Sequence, residues 1–80
     1  MILEIITPTK KVYSGHVKLV QLPGSMGSFE ILNNHAPIIS TLEKGKIKVV
    51  EDNGQILFFE VEGGIVENKE NKIIVLAESI

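Results

Sequence analysis

Isoleucine and valine make up 20 of the 80 residues, while alanine supplies only two. Side chains branched at Cβ lose rotamer freedom in a helix and suit the pleated surface of a sheet. Turn formers cut the chain into short pieces: Pro8, Pro23-Gly24, Gly27, Asn33-Asn34, Gly45, Asp52-Asn53-Gly54, Gly63-Gly64 and the run from Asn68 to Asn71. Short β-rich runs parted by turns every eight to ten residues or so predict an all-β fold, a small flattened sandwich or barrel of mostly antiparallel strands. Strands are expected near Leu3–Thr7, Val12–Leu22, Ser28–Leu32, Lys46–Glu51, Gln55–Glu62, Ile65–Glu67 and Lys72–Ala77. Asp52-Asn53-Gly54 is the strongest hairpin signal, with Lys46–Glu51 and Gln55–Val61 as its arms. Pro37 removes a backbone donor, so Ala36–Leu42 is expected as a short edge piece or an irregular link. No helical periodicity of useful length and no internal repeat interrupts this pattern.

A single domain this short buries only about 60% of its unfolded surface. Without cysteine it has neither disulfides nor a thiolate zinc site to compensate. It must pack well alone or be completed by a partner. The net charge of −2 and the scattered lysines argue against nucleic acid, which needs a positive footprint. Tyr13, Phe29, Phe58 and Phe59 are too few for a base-stacking platform. The opening MILEIITPTKK has no charged leader before an apolar run, and no segment nears the ~20 apolar residues of a membrane span. The expectation is a cytosolic chain without an anchor of its own.

A half-buried strand alternates apolar with polar residues. Ile56 to Phe59 do not alternate, and neither do Ile73 to Leu76. Both faces of these strands are apolar. Two readings stay open: a docked partner covers the outer face, or a very small barrel curls over it.

Candidate chemistry is thin. Gly45-Lys46 is followed by Ile47 rather than Ser or Thr, and Ser40 stands where the first glycine of a phosphate loop belongs. Gly24, Gly27, Gly63 and Gly64 fit no dinucleotide spacing and read as turn residues. Glu60 and Glu62 share a strand face, and Glu67 and Glu70 follow. No loop among them is shaped for the six to eight oxygens of calcium, and they read as a solvated rim. Paired carboxylates for glycoside hydrolysis need a cleft that a domain with short loops hardly offers. Serines 14, 25, 28, 40 and 79 and the histidines His16 and His35 are the available nucleophiles and bases. His16 lies in a strand-like run. His35 has no acidic orienter in its loop, Asn33-Asn34-His35-Ala36-Pro37. The asparagines tolerate left-handed backbone angles, and Pro37 pushes Ala36 into an extended shape. His35 is therefore expected to brace a turn through backbone hydrogen bonds. No catalytic residue, metal ligand or cofactor is assigned.

One family carries this text in the same order. GSMGSFEILNNHAPIIST resembles the loop and strand of the amino-terminal β-sandwich domain of F-type ATP synthase epsilon subunits, where a His-Ala-Pro triplet is followed by aliphatics and Thr. LEKGKIKVV is similar to the family's L-x-x-G with alternating aliphatics. FFEVEGGIVE resembles its Gly-Gly pair ending in Glu, and KIIVLAES its closing Leu-Ala-acid strand. Upstream, LEIITPTKKVYSGHV matches an opening with an aromatic-Ser-Gly-x-Val. The likeness spans nearly the whole chain. It departs at Asn33-Asn34, where many members have Pro-Gly or Pro-Asn, at Glu30, often Gly, and at Ser28, acidic in some members.

The resemblance implies a non-catalytic rotor subunit of a proton-translocating enzyme, part of a hetero-oligomeric complex. It would bind the gamma subunit and the c-subunit ring and couple rotation to ATP synthesis at the cytoplasmic face of a bacterial inner membrane. Met26, Gly27, Ser28 and Asn34 are expected near the c-ring. His35 and the link Ile38–Leu42, with Ser40, are expected near gamma. The domain would occupy 1–80. The helical hairpin that follows in many members, and restrains ATP hydrolysis there, would be absent after Ile80. The competing class is a free-standing β-sandwich module for carbohydrate or peptide, which needs exposed aromatics or an open sheet edge. An enzyme is the third reading.

Overall fold

A computed structural model of the chain describes residues 1–79; Ile80, where the sequence reading places the domain's end, lies outside them. Eight strands follow one another: β1 (Ile2–Ile6), β2 (Lys11–Gly24), β3 (Gly27–Leu32), β4 (Ile38–Leu42), β5 (Gly45–Glu51), β6 (Ile56–Val61), β7 (Gly64–Lys69) and β8 (Lys72–Ala77). The all-β expectation holds, and there is no helix among the described residues. Seven of these strands lie where the sequence places them. The eighth, β4, begins just after Pro37, so the proline costs it no ladder donor. It pairs with β7 from Ile38↔Asn68 to Leu42↔Gly64 and touches β2 at Gly24↔Leu42 alone. It is thus the short, one-sided strand that the edge reading describes.

The fourteen-residue β2 belongs to both layers. Its first half pairs with β1, which continues in parallel to β8 and then antiparallel to β7 and β4. Its second half lies between β3 and β5, since both pair with Leu19, Val20 and Gln21, and β6 closes that layer. The crossing is made by an irregular register at Val17–Leu19. An extra residue there bends the strand and shifts the inward phase, so Val17 and Val20 are both fully buried although three apart. Leu3, Ile5, Leu22, Ile31, Ile47, Val49, Val61, Val66, Ile73 and Val75 fill the space between the layers. Within each strand these alternate with outward residues, as the two-residue period requires.

Turn chemistry follows the sequence. Gly54 has φ +92°, and its N–H donates to Glu51 O at 2.8 Å, closing the Asp52–Gly54 hairpin. Glu70 and Asn71 both have positive φ, 53° and 61°, in a two-residue link that returns β7 into β8. Gly64, at φ +153°, is required by close approach. A Cβ there would strike Leu76 O across the β7–β8 ladder.

Candidate functional site

The loop between β3 and β4 is fastened on several sides. Asn34 takes φ 62°, the left-handed turn expected of the asparagine pair. Its N–H donates to Asn71 Oδ1 at 2.8 Å, tying the loop to the β7–β8 turn. Asn33 Oδ1 accepts from the Met1 amino group at 2.9 Å, and His35 N–H donates to Leu32 O at 3.1 Å. Beneath lies Asn68 of β7, 2% exposed, whose Nδ2 donates to the carbonyls of His35 and Ala36 at 3.2 Å each. Its Oδ1 has no partner. Turning the amide over would aim that oxygen at two carbonyls, so the donors fix its orientation.

His35 itself is exposed, with Nδ1 2.7 Å from Ala36 O. This is the bracing role that the sequence reading gives it. His16 is exposed on β2. Among the described residues no three His, Cys, Asp or Glu side chains gather as metal ligands. Gly45-Lys46 opens a strand rather than a phosphate loop.

The outer faces are more informative. On the β3–β2–β5–β6 layer, Leu32, Leu19, Val50 and Ile56 pair in one row across four strands. Phe58 stands beside it and is 61% exposed. On the β4–β7–β8–β1 layer two rows run side by side. One is Thr41–Ile65–Leu76–Ile6; the other is Ile39–Glu67–Ile74–Glu4. Ile39, Ile65, Glu67, Ile74 and Leu76 line a shallow groove of about 180 Å³. Ile39 is 67% and Leu76 50% exposed, so curling of the sheet does not bury them. The second apolar face read from Ile73 to Leu76 is therefore open to a partner.

The sequence-assigned residues fall into three places. Met26, fully exposed, tips the two-residue turn between β2 and β3, flanked by Gly27 and Ser28. Asn34 lies beyond the opposite end of β3. Six strand residues, roughly 20 Å of chain, separate it from Met26. The structure thus does not bring Asn34 together with Met26, Gly27 and Ser28. On β4, Leu42 is buried and Ile38 and Ser40 point inward, half-buried, while Ile39 and Thr41 point out. The sequence reading does not single out the outward pair, although the two-residue period names it once β4 is recognised as a strand. The Met26 turn is held against the outer face. Ser25 N–H donates to Thr41 O at 3.0 Å, and Thr41 Oγ1 donates to Ser25 Oγ at 2.8 Å.

Electrostatics single out one further cluster. The Tyr13 hydroxyl donates to Glu51 Oε2, and its ring lies 5.5 Å from Phe59, tilted by 58°. Burial, then the hydrogen bond and charge of Glu51, push the Tyr13 phenol up to about 12. The neutral phenol ties β2 to β5 as a structural strut. No helix among the described residues is long and apolar enough to cross a membrane.

Comparison with known proteins agrees with this architecture. The family described as ATP synthase, Delta/Epsilon chain, beta-sandwich domain matches residues 1–80. The chain is 39% identical over 79 residues to an ATP synthase epsilon chain of Desulfatibacillum aliphaticivorans, covering 99% of this chain and 56% of that one. It is 38% identical over 78 residues to that of Chlorobium limicola, covering 98% of this chain and 89% of that one. The matched relatives thus include both longer chains and chains of nearly this length. Among solved structures, a chain of the Euglena gracilis mitochondrial ATP synthase OSCP/F1/c-ring assembly superposes with a TM-score of 0.89 at 16% identity, covering 99% of this chain and 51% of that one. A chain of the Tetrahymena thermophila mitochondrial ATP synthase central stalk and c-ring gives 0.79 at 19% identity, covering 96% and 62%. At such identities the structural likeness is one of fold. Sequence and fold together lead to one conclusion: the chain belongs to the family of ATP synthase delta/epsilon-chain β-sandwich domains.

Proposed function

We propose that this chain is a non-catalytic central-stalk component of a proton-translocating ATP synthase, gripping the gamma subunit with one face and the c-ring with an adjoining turn. The observation that carries this reading is the joint at Ser25 and Thr41. It fastens the fully exposed Met26 turn to the edge of the open Ile39–Ile65–Leu76 face. Two partners can then bear on one stiff body at neighbouring places. Torque passes through such a body only if its surfaces do not shift against each other. Eight strands packed on a common core meet that demand.

In this reading gamma covers the β4–β7–β8 face. His35 borders it at the far end of β4, Ile39 and Thr41 make contact, and Ile38, Ser40 and Leu42 hold the strand from within. The polar loops of the c-ring meet Met26, Gly27 and Ser28. Asn34, at the other end, serves the braced loop. The chain works as a peripheral part of a hetero-oligomeric complex at the cytoplasmic face of a bacterial membrane. It needs no acid, base or cofactor of its own. The test is retention of the purified chain by the purified gamma subunit, alone or within the catalytic complex, at micromolar concentration. Binding supports the assignment, and failure of both forms to retain it rejects the assignment.

A further inference from the structure

We infer that the groove on the gamma-facing layer receives a basic side chain of its partner on Glu67, and that an arginine fits it best; this rests on the proposed function and adds the chemistry of the contact. Glu67 is exposed at the middle of β7's outer surface. Its cross-strand neighbours are Ile39 on one side and Ile74 on the other, and Ile65 lies two residues back along the same face. A partner that covers these isoleucines must also cover the carboxylate between them. A covered carboxylate loses its water and is costly unless a cation takes the water's place. Among the described residues the only ion pair is Lys11 with Glu4, at 3.4 Å, and Glu4 stands two strands away from Glu67 in the same row, beyond Ile74. Lys69 and Lys72 share its face, but neither forms an ion pair with Glu67.

The neighbouring row sets the direction. Lys69 and Lys72 stand directly opposite each other where β7 turns into β8. Like charges so placed repel, and an acidic group from outside relieves them. The face thus presents three successive rows. The first is apolar, with Ile65 and Leu76. The second is a carboxylate between isoleucines, and the third a pair of ammonium groups. A complementary surface reads apolar, basic, acidic in the same order. Arginine suits the middle row because its stem is apolar and its guanidinium is weakly hydrated and forks onto a carboxylate. A slip by one row, two residues along β7, would set the cation against the lysines, so the pattern also fixes alignment.

The experiment measures association and dissociation of the full chain with purified gamma subunit, comparing wild type, Glu67→Gln and Lys72→Gln. Glu67→Gln keeps shape and removes charge; unchanged circular dichroism and thermal midpoint establish that it folds. It is expected to raise the dissociation rate about tenfold or more while the association rate stays within about threefold, as for a desolvated charge pair. Lys72→Gln, at the rim, is expected to act mainly on the association rate and its salt dependence. If wild type binds and Glu67→Gln dissociates at the same rate or more slowly, the inference is overturned and the proposed function stands. If wild type itself does not bind, the proposed function has failed first.

Discussion

Changing Asn68 to aspartate replaces one NH2 group with oxygen, at the point where the His35 loop is clamped. The amide donates to the His35 and Ala36 carbonyls at 3.2 Å each and is almost wholly buried. An ionised aspartate would face those carbonyls with no donor. Burial and the two carbonyl dipoles raise its folded-state pKa above the unfolded value of about 3.9. If the rise is about two units, the charged form costs about 2.7 kcal/mol at pH 7, at about 1.36 kcal/mol per unit. Loss of one neutral hydrogen bond adds about 1 kcal/mol at every pH, since the protonated acid still donates once. The sign is set by linkage: an acid with a raised folded pKa loses stability as pH rises from its unfolded to its folded value. Asn68→Asp should therefore lie about 1 kcal/mol below wild type near pH 3.5 and about 4 kcal/mol below it at pH 7. Asn68→Leu loses both bonds and should sit about 2 kcal/mol below wild type at every pH. Urea unfolding followed by far-UV circular dichroism across pH 3.5 to 7 measures both. A deficit of the Asn68→Asp variant that stays level, or shrinks as pH rises, refutes the clamp.

Two other perturbations act on backbone and phenol. Glu70 holds a left-handed angle that asparagine tolerates better, so Glu70→Asn should raise stability by up to about 1 kcal/mol, seen as a higher thermal midpoint. Tyr13 has a raised folded-state pKa, so its contribution is intact below about pH 10 and lost as pH climbs through about 12. Alkaline unfolding of wild type should show this decline, and Tyr13→Phe should not.

Much of the fold is legible in residue types alone, because β-branched runs and turn residues act locally. The Asp52–Gly54 hairpin and the Asn34 turn need nothing beyond backbone sterics. The phase shift in β2 is not legible. Leu19 and Val20 are both apolar, and only the irregular pairing with β5 decides which one faces the core. Asn68 is equally opaque, since Glu-Asn-Lys-Glu-Asn reads as a turn. Its burial arises only when β7 lies beneath the His35 loop. Asn34 and Met26 are close in sequence and lie at opposite ends of β3, a separation that appears once that strand is extended. Excess apolar surface is visible in Ile73 to Leu76. Which strand lies alongside it is not.

The central claim is that grip resides on the β4–β7–β8 face. Its most direct test compares the affinity for gamma of wild type, an Ile39→Ser/Leu76→Ser double variant and Phe58→Ser, which alters the opposite face. Each buried aliphatic side chain is worth about 1.5–3 kcal/mol. The double variant should therefore bind at least about a hundredfold more weakly, and Phe58→Ser should stay within about threefold of wild type. The reverse order of effects would contradict the account.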